Sequence, residues 1–166
     1  MSRAERWQMS GNAAEFYERY VRLLMEPWVR CLVDVAALRP AEHVLDIACG
    51  TGFVARLAAD RVGAEGRVVG IDLNGSMIEA ARAVSTADGR NTIEWRTGDA
   101  ASLPFANAAF DVVLCQQGVQ SFLIASRLCV RCDEFFAAVV GSPSRSGAPS
   151  RTPPTARHSP MRSNGT

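Results

Sequence analysis

The sequence predicts an α/β fold: a doubly wound, mainly parallel sheet, preceded by helices and incomplete towards its C-terminal end. Three observations carry this expectation. Short apolar runs alternate with helix-like segments between residues 41 and 122. The runs are continuous instead of alternating, as in parallel strands covered on both faces. Beyond Val140 the chain holds no Val, Ile, Leu, Phe, Trp or Tyr, and a segment so poor in apolar surface is expected to stay disordered.

Between Gly11 and Leu38, Phe16, Tyr20, Leu23, Leu24, Trp28, Cys31, Leu32 and Val35 recur at three- and four-residue steps. That spacing predicts an amphipathic helix, with Pro27 expected to break it in two. His43 to Cys49 reads as a buried strand entering the tight turn Gly50-Thr51-Gly52, and Phe53 to Arg61 as the helix that follows. Arg67 to Leu73 predicts a second strand, and Ser76 to Val84 a second helix capped by Asn74 or Ser76. Ile93 to Arg96, leading to Gly98-Asp99, gives a third strand, and Phe110 to Cys115 a fourth. Right-handed crossovers order such strands into a doubly wound sheet. The fourth strand is then expected to leave an unpaired apolar edge. The organisation that follows is a helical cap over residues 1–40, a ligand-binding core over 41–122, and an aberrant, largely disordered tail over 123–166.

With 166 residues, 48% of them hydrophobic, and a formal net charge of +1, the chain has the size of one globular domain. Residues 1–122 are mildly acidic, and the excess of Arg lies in the tail, so nothing suggests a nucleic-acid surface. No apolar run reaches the roughly 18 residues needed to span a bilayer, and the N-terminus lacks a signal-peptide core. A cytoplasmic location is therefore expected, with the five Cys reduced. Cys129 and Cys132 form a CxxC without a second pair or a His at ligand spacing, so no metal site is expected.

In an open parallel sheet, ligands bind beyond the carboxyl ends of the strands. Each of the four predicted strands ends in suitable residues. After the first come Ala48, Cys49, Gly50, Thr51 and Gly52, small enough for a ligand to approach the backbone at a helix N-terminus. Asp72 ends the second strand and can accept both hydroxyls of a ribose. Asp99 ends the third and can accept from an exocyclic adenine amine. Gln116 and Gln117 follow the fourth. Each acid also has a structural reading: Asp46 or Asp72 as a cap, Asp99 as a solvated loop carboxylate. Three acids in succession point instead to a nucleoside-containing cofactor. Gly50, Gly52 and Ala55 also fit a dinucleotide fingerprint with Asp72 twenty residues on. A dinucleotide, however, has no use for an acid inside the first strand or at the end of the third.

The segments VLDIACGTG, GRVVGIDLNGSMIEAAR, GDAASLPF and FDVVLCQQGVQSF, in that order and spacing, resemble the successive cofactor motifs of class I S-adenosylmethionine-dependent methyltransferases, in the branch described as type 11 or ubiquinone-biosynthesis-like. The resemblance covers roughly residues 8–122. It implies a Rossmann-like sheet, of which the chain supplies about four of the family's seven strands, and S-adenosylmethionine as cofactor. Asp46, Ala48 and the turn Gly50, Thr51 and Gly52 would hold the methionine part, and Asp72 the ribose. Asp99 and Ala100 would hold the adenine, with Leu73 and Met77 packed on it and Gln116 at the crevice mouth. Ala48 departs from the commoner Gly, with little loss expected. Tyr17 or Tyr20 would reach the cofactor's carboxylate, or else pack in the core.

The implied reaction is methyl transfer to a small-molecule acceptor, without nucleic acid or membrane as partner. It is an in-line displacement governed by positioning, and no catalytic residue is assigned. His43 lies at the wrong end of the sheet, His158 lies in the tail, and strand-end Cys49 and Cys115 read as inert packing. In similar enzymes the acceptor is gripped by the N-terminal helices and by segments after the fourth strand; the second group is missing, so a non-catalytic cofactor-binding fragment is the alternative. Every basic side chain is Arg, as in GC-rich coding. From about Leu123 the chain is read as shifted in frame, because the other frame can encode an amphipathic helix, a Gly-Gly turn and an apolar strand.

Overall fold

The computed structural model describes residues 13–87, 93–106, 108–118 and 137–141. The chain opens with α1 (Ala13–Phe16), a π-helical turn (Tyr17–Val21) and α2 (Arg22–Ala36). Strand β1 (His43–Ile47), α3 (Phe53–Val62), β2 (Arg67–Asp72), α4 (Gly75–Ala87), β3 (Ile93–Thr97), β4 (Val112–Gln116) and β5 (Ala137–Gly141) follow. The expected break at Pro27 does not occur, since α2 runs through it. The irregularity lies upstream, where the Arg22 N–H reaches back to the Tyr17 carbonyl across the π turn. Pro27 forfeits only its own amide, and Arg30 braces its turn through two hydrogen bonds to Glu26 at 2.7 and 2.9 Å. Asn74 caps α4, its Oδ1 accepting from the Ser76 N–H at 3.0 Å.

The sheet order is β3-β2-β1-β4-β5, with the first four strands parallel and β5 antiparallel to β4. The bare edge expected on β4 is thus corrected. Gln116 stands opposite Ala137 and Val112 opposite Gly141. The run Ala137–Gly141 lies in the segment expected to be disordered, but it is short and apolar enough to complete a ladder. The rest of that tail, including Cys129, Cys132 and His158, lies outside the described residues.

The two faces of the sheet are covered unequally. Strand residues Val44, Val68, Ile93, Trp95, Val112 and Leu114 form one core with Val29, Leu32, Val33 and Ala36 of α2, Val54, Ala55, Ala58 and Val62 of α3, and Ile78 and Ala81 of α4. On the opposite face Leu45, Val69 and Ile71 are buried beneath Phe105 and Phe110, which meet edge to face at 5.0 Å. No helix reaches that face among the described residues. The alternation of partners along each strand follows from the pleat.

Candidate functional site

A cavity of about 230 Å³ opens at the carboxyl ends of β1, β2 and β4. Of the residues expected there, Asp46, Ala48, Gly50, Asp72, Leu73, Met77, Asp99, Ala100 and Gln116 line it, and so does Gln117. Tyr17 lines it too, whereas Tyr20 is half exposed on the outer side of the helix.

Thr51 and Gly52 are not on the cavity wall. Thr51 is fully buried, with its carbonyl taken by Arg56 at 2.6 Å. A Cβ on Gly52 would lie 2.1 Å from the Trp95 ring, and one on Gly70 would lie 2.4 Å from the same ring. Both glycines make room for an indole, and Gly52, with φ of 83°, also needs the left-handed region. Gly52 thus has a structural reason to be glycine that the sequence reading did not foresee.

Asp46, the penultimate residue of β1, is 1% exposed, and neither of its carboxylate oxygens makes a hydrogen bond. Burial holds this carboxyl well above the usual range, and the neighbouring Asp72 pushes it the same way. The Ala55 amide at the start of α3 draws it down only in part, without closing a hydrogen bond. A buried, unpartnered acid on a cavity wall is incomplete by itself and is satisfied by a cation or a donor.

Asp72 is better served. Its Oδ2 accepts from the Gly50 N–H and its Oδ1 from the Asn74 N–H, both at 2.8 Å. The acid at the end of β2 thereby clamps the turn after β1, which sequence reasoning did not foresee. Burial raises its pKa, while the Asn74, Gly50 and Leu73 amides oppose the rise. A carboxylate has about four acceptor sites, more than the three that these amides occupy.

Asp99 holds its own loop, with Oδ1 accepting from the Ala101 N–H at 2.9 Å. Gln116 presents a buried Nε2 without a partner. Ala48 occupies φ of 55°, a left-handed conformation where Gly would sit without strain. The expectation that Ala there loses little considered bulk and missed the backbone.

Sequence reasoning also missed the wall supplied by α2 and α3: Arg22, Met25, Val29, Phe53 and Val54. Arg56, buried to 5% exposure, was missed as well. Its signal was present, because an Arg on the inward stripe of FVARLAAD is a charge that needs a partner. Burial raises the Cys49 thiol, and the Cys115 thiol is pushed up to about 12, also by burial first. Both stay protonated at neutral pH and are poor nucleophiles. His43 sits at the amino end of β1, opposite the cavity, where its backbone N–H donates to Asp111 Oδ2 at 2.8 Å.

The profile of the family described as Methyltransferase domain matches residues 44–130, which runs past the limit of 122 expected for the resemblance. The chain is 38% identical over 89 residues to a demethylmenaquinone methyltransferase of Symbiobacterium thermophilum, covering 53% of this chain and 36% of that protein. It is 40% identical over 96 residues to a nocamycin O-methyltransferase of Saccharothrix syringae, covering 58% and 34%. The chain therefore spans about a third of the length of these curated relatives. Among solved structures, a putative methyltransferase from Bacillus halodurans superposes with a TM-score of 0.52 at 35% identity, covering 57% of this chain and 40% of that one. The YcgJ protein of Bacillus subtilis gives 0.55 at 26% identity, covering 60% and 42%. With the acid-bearing strand ends around one cavity and the family profile spanning half the chain, this protein belongs to the class I S-adenosylmethionine-dependent methyltransferases.

Proposed function

We propose that the chain carries the cofactor-binding part of a methyltransferase that acts on a small-molecule acceptor. The observation that carries this reading is the buried, unpartnered Asp46 on the wall of a cavity that Asp72 and Asp99 also line. These residues fit S-adenosylmethionine. Asp46 would receive the ammonium of the methionine part, Gly50 and Ala48 would let that part approach the backbone, and Asp72 would accept the ribose hydroxyls while still holding the turn. Asp99 and Ala100 would bound the adenine, with Leu73 and Met77 against its ring and Gln116 offering its free Nε2. Tyr17, whose hydroxyl is kept protonated by burial and by nearby Asp46, Glu18 and Asp72, can donate to the methionine carboxylate. Thr51 and Gly52 support the turn from behind.

The cofactor supplies an electrophilic methyl group on a sulfonium, so the protein's own task is to hold the acceptor in line and exclude water. The names of the relatives refer to acceptors as different as demethylmenaquinone, nocamycin and arsenite. Family membership therefore fixes the cofactor and leaves the acceptor open. No helix among the described residues is long and apolar enough to cross a membrane.

Calorimetry on the full chain tests the reading. S-adenosylmethionine is expected to bind more tightly than NAD. Asp72→Ala is expected to weaken it by about 1.5–3 kcal/mol, through lost charge-assisted hydrogen bonds and a released turn. Unchanged affinity in the variant, or preference for NAD, would sink the assignment. Methyl transfer to a cell extract, absent while binding persists, would favour the non-catalytic fragment instead.

A further inference from the structure

Among the described residues, Arg56 is the one buried charge that the proposed cofactor contacts leave unused. Its guanidinium reaches in two directions. One arm donates to the Thr51 carbonyl in the cofactor turn at 2.6 Å, and the other to Glu18 Oε1 in the π turn at 2.5 Å. The side chains of Arg56 and Glu18 are 6% and 16% exposed, and the two residues lie 38 positions apart in sequence. Glu18 also forms an ion pair with Arg22, whose Nε lies 3.1 Å from its Oε2. Arg22 and Arg56 lie 5.2 and 5.9 Å from the centre of the Phe53 ring. One carboxylate and one aromatic ring thus gather two cations, and removing the carboxylate leaves both beside the ring without their shared counter-charge.

The residue before Glu18 is Tyr17, which lines the cavity and feels the charges of Asp46 and Asp72. An ordinary α-turn would rotate these neighbours by a different angle. The π turn (Tyr17–Val21) presents Glu18 to Arg56 and Tyr17 to the cavity together, in keeping with the frequent use of such turns at functional sites.

We propose that Arg56 is a positioning residue: by bridging the Thr51 carbonyl and Glu18, it sets Tyr17 over the methionine end of the cofactor site. The inference rests on the cofactor reading above and goes beyond it by making affinity for the amino-acid part, and not for the nucleoside, depend on an ion pair outside the cavity. Only a forked guanidinium makes both contacts; an ammonium can serve one of them.

The test is calorimetry with two probes on the full chain, S-adenosylhomocysteine and adenosine, which differ by the amino-acid part. Arg56→Lys and Glu18→Gln are each expected to weaken S-adenosylhomocysteine by at least about tenfold, as for a lost charge-assisted contact, while adenosine changes by no more than about twofold. Tyr17→Phe is expected to weaken S-adenosylhomocysteine in the wild-type background and to have little further effect in the Glu18→Gln background, because the pair acts through Tyr17. Equal losses for both probes would show a merely structural role and overturn the proposal. Additive losses for Tyr17→Phe and Glu18→Gln would overturn it too, as would unchanged S-adenosylhomocysteine binding in both ion-pair variants. If the wild-type chain binds neither probe, the cofactor reading itself fails, and that result is distinct from the others.

Discussion

The two faces of the sheet are made from the same strands yet are finished to different degrees. On the helical face, side chains from α2, α3 and α4 close over Val44, Val68, Trp95 and Leu114, and Leu114 is fully buried. On the other face Leu45, Val69 and Ile71 lie beneath two Phe residues of the β3–β4 connection, and Val113 and Ile47 stay partly open. The helical face also holds the proposed cofactor contacts. Asp46, Tyr17 and Arg56 belong to its elements, and the cavity lies at its carboxyl edge. A close-packed face holds a buried polar group in one place, because its neighbours cannot rearrange to give that group a partner.

The largest effect expected from this contrast is on stability. Leu114→Ala on the helical face should destabilise the chain by about 2–5 kcal/mol, whereas Val113→Ala, its neighbour on the open face, should cost about 1 kcal/mol. Urea midpoints at constant slope measure both. Equal costs would break the comparison.

Asp46 sharpens it, as an acid on the apolar side. Its carboxyl titrates well above the ordinary value in the folded chain, so in the pH window between the unfolded value of about 4 and the raised folded one, the folded state binds more protons than the unfolded. Stability contributed by this group is full below that window and is lost as pH rises through it. Asp46→Asn should therefore make the ligand-free chain about 1–2 kcal/mol more stable at neutral pH and flatten the decline, while weakening S-adenosylmethionine. Thermal unfolding from pH 5 to 8 in both proteins decides the matter. A parallel pH profile in the variant would remove Asp46 as its cause.

The smallest effect expected is at Ala48, on the edge of the same cavity. Relief of a left-handed alanine is partly offset by the greater freedom of glycine in the unfolded chain, so Ala48→Gly should stabilise by about 0.5–1 kcal/mol. A loss of stability, read from the same unfolding midpoints, would show that the methyl group packs usefully. For residues from Leu123 onward, the shifted-frame reading remains a proposal. It is decided by the nucleotide sequence around codon 122, where an early stop in the other frame would end it.

The sequence by itself determined the parallel strands β1 to β4, the helices between them and the three acids at their ends. Each of these is written in a short run of neighbouring residues, such as HVLDI followed by a glycine turn, whose pattern of burial and turn chemistry is local. Tertiary structure decided the rest. It admitted Pro27 into α2, set Ala137–Gly141 beside β4, turned Gly52 towards Trp95, and left Asp46 without a partner while giving Glu18 to Arg56. The sign of a φ angle at Ala48 and the meeting of side chains 38 residues apart depend on how packed elements cross. No local pattern of apolar and polar residues encodes that crossing, because it is the packing of the whole core that selects it.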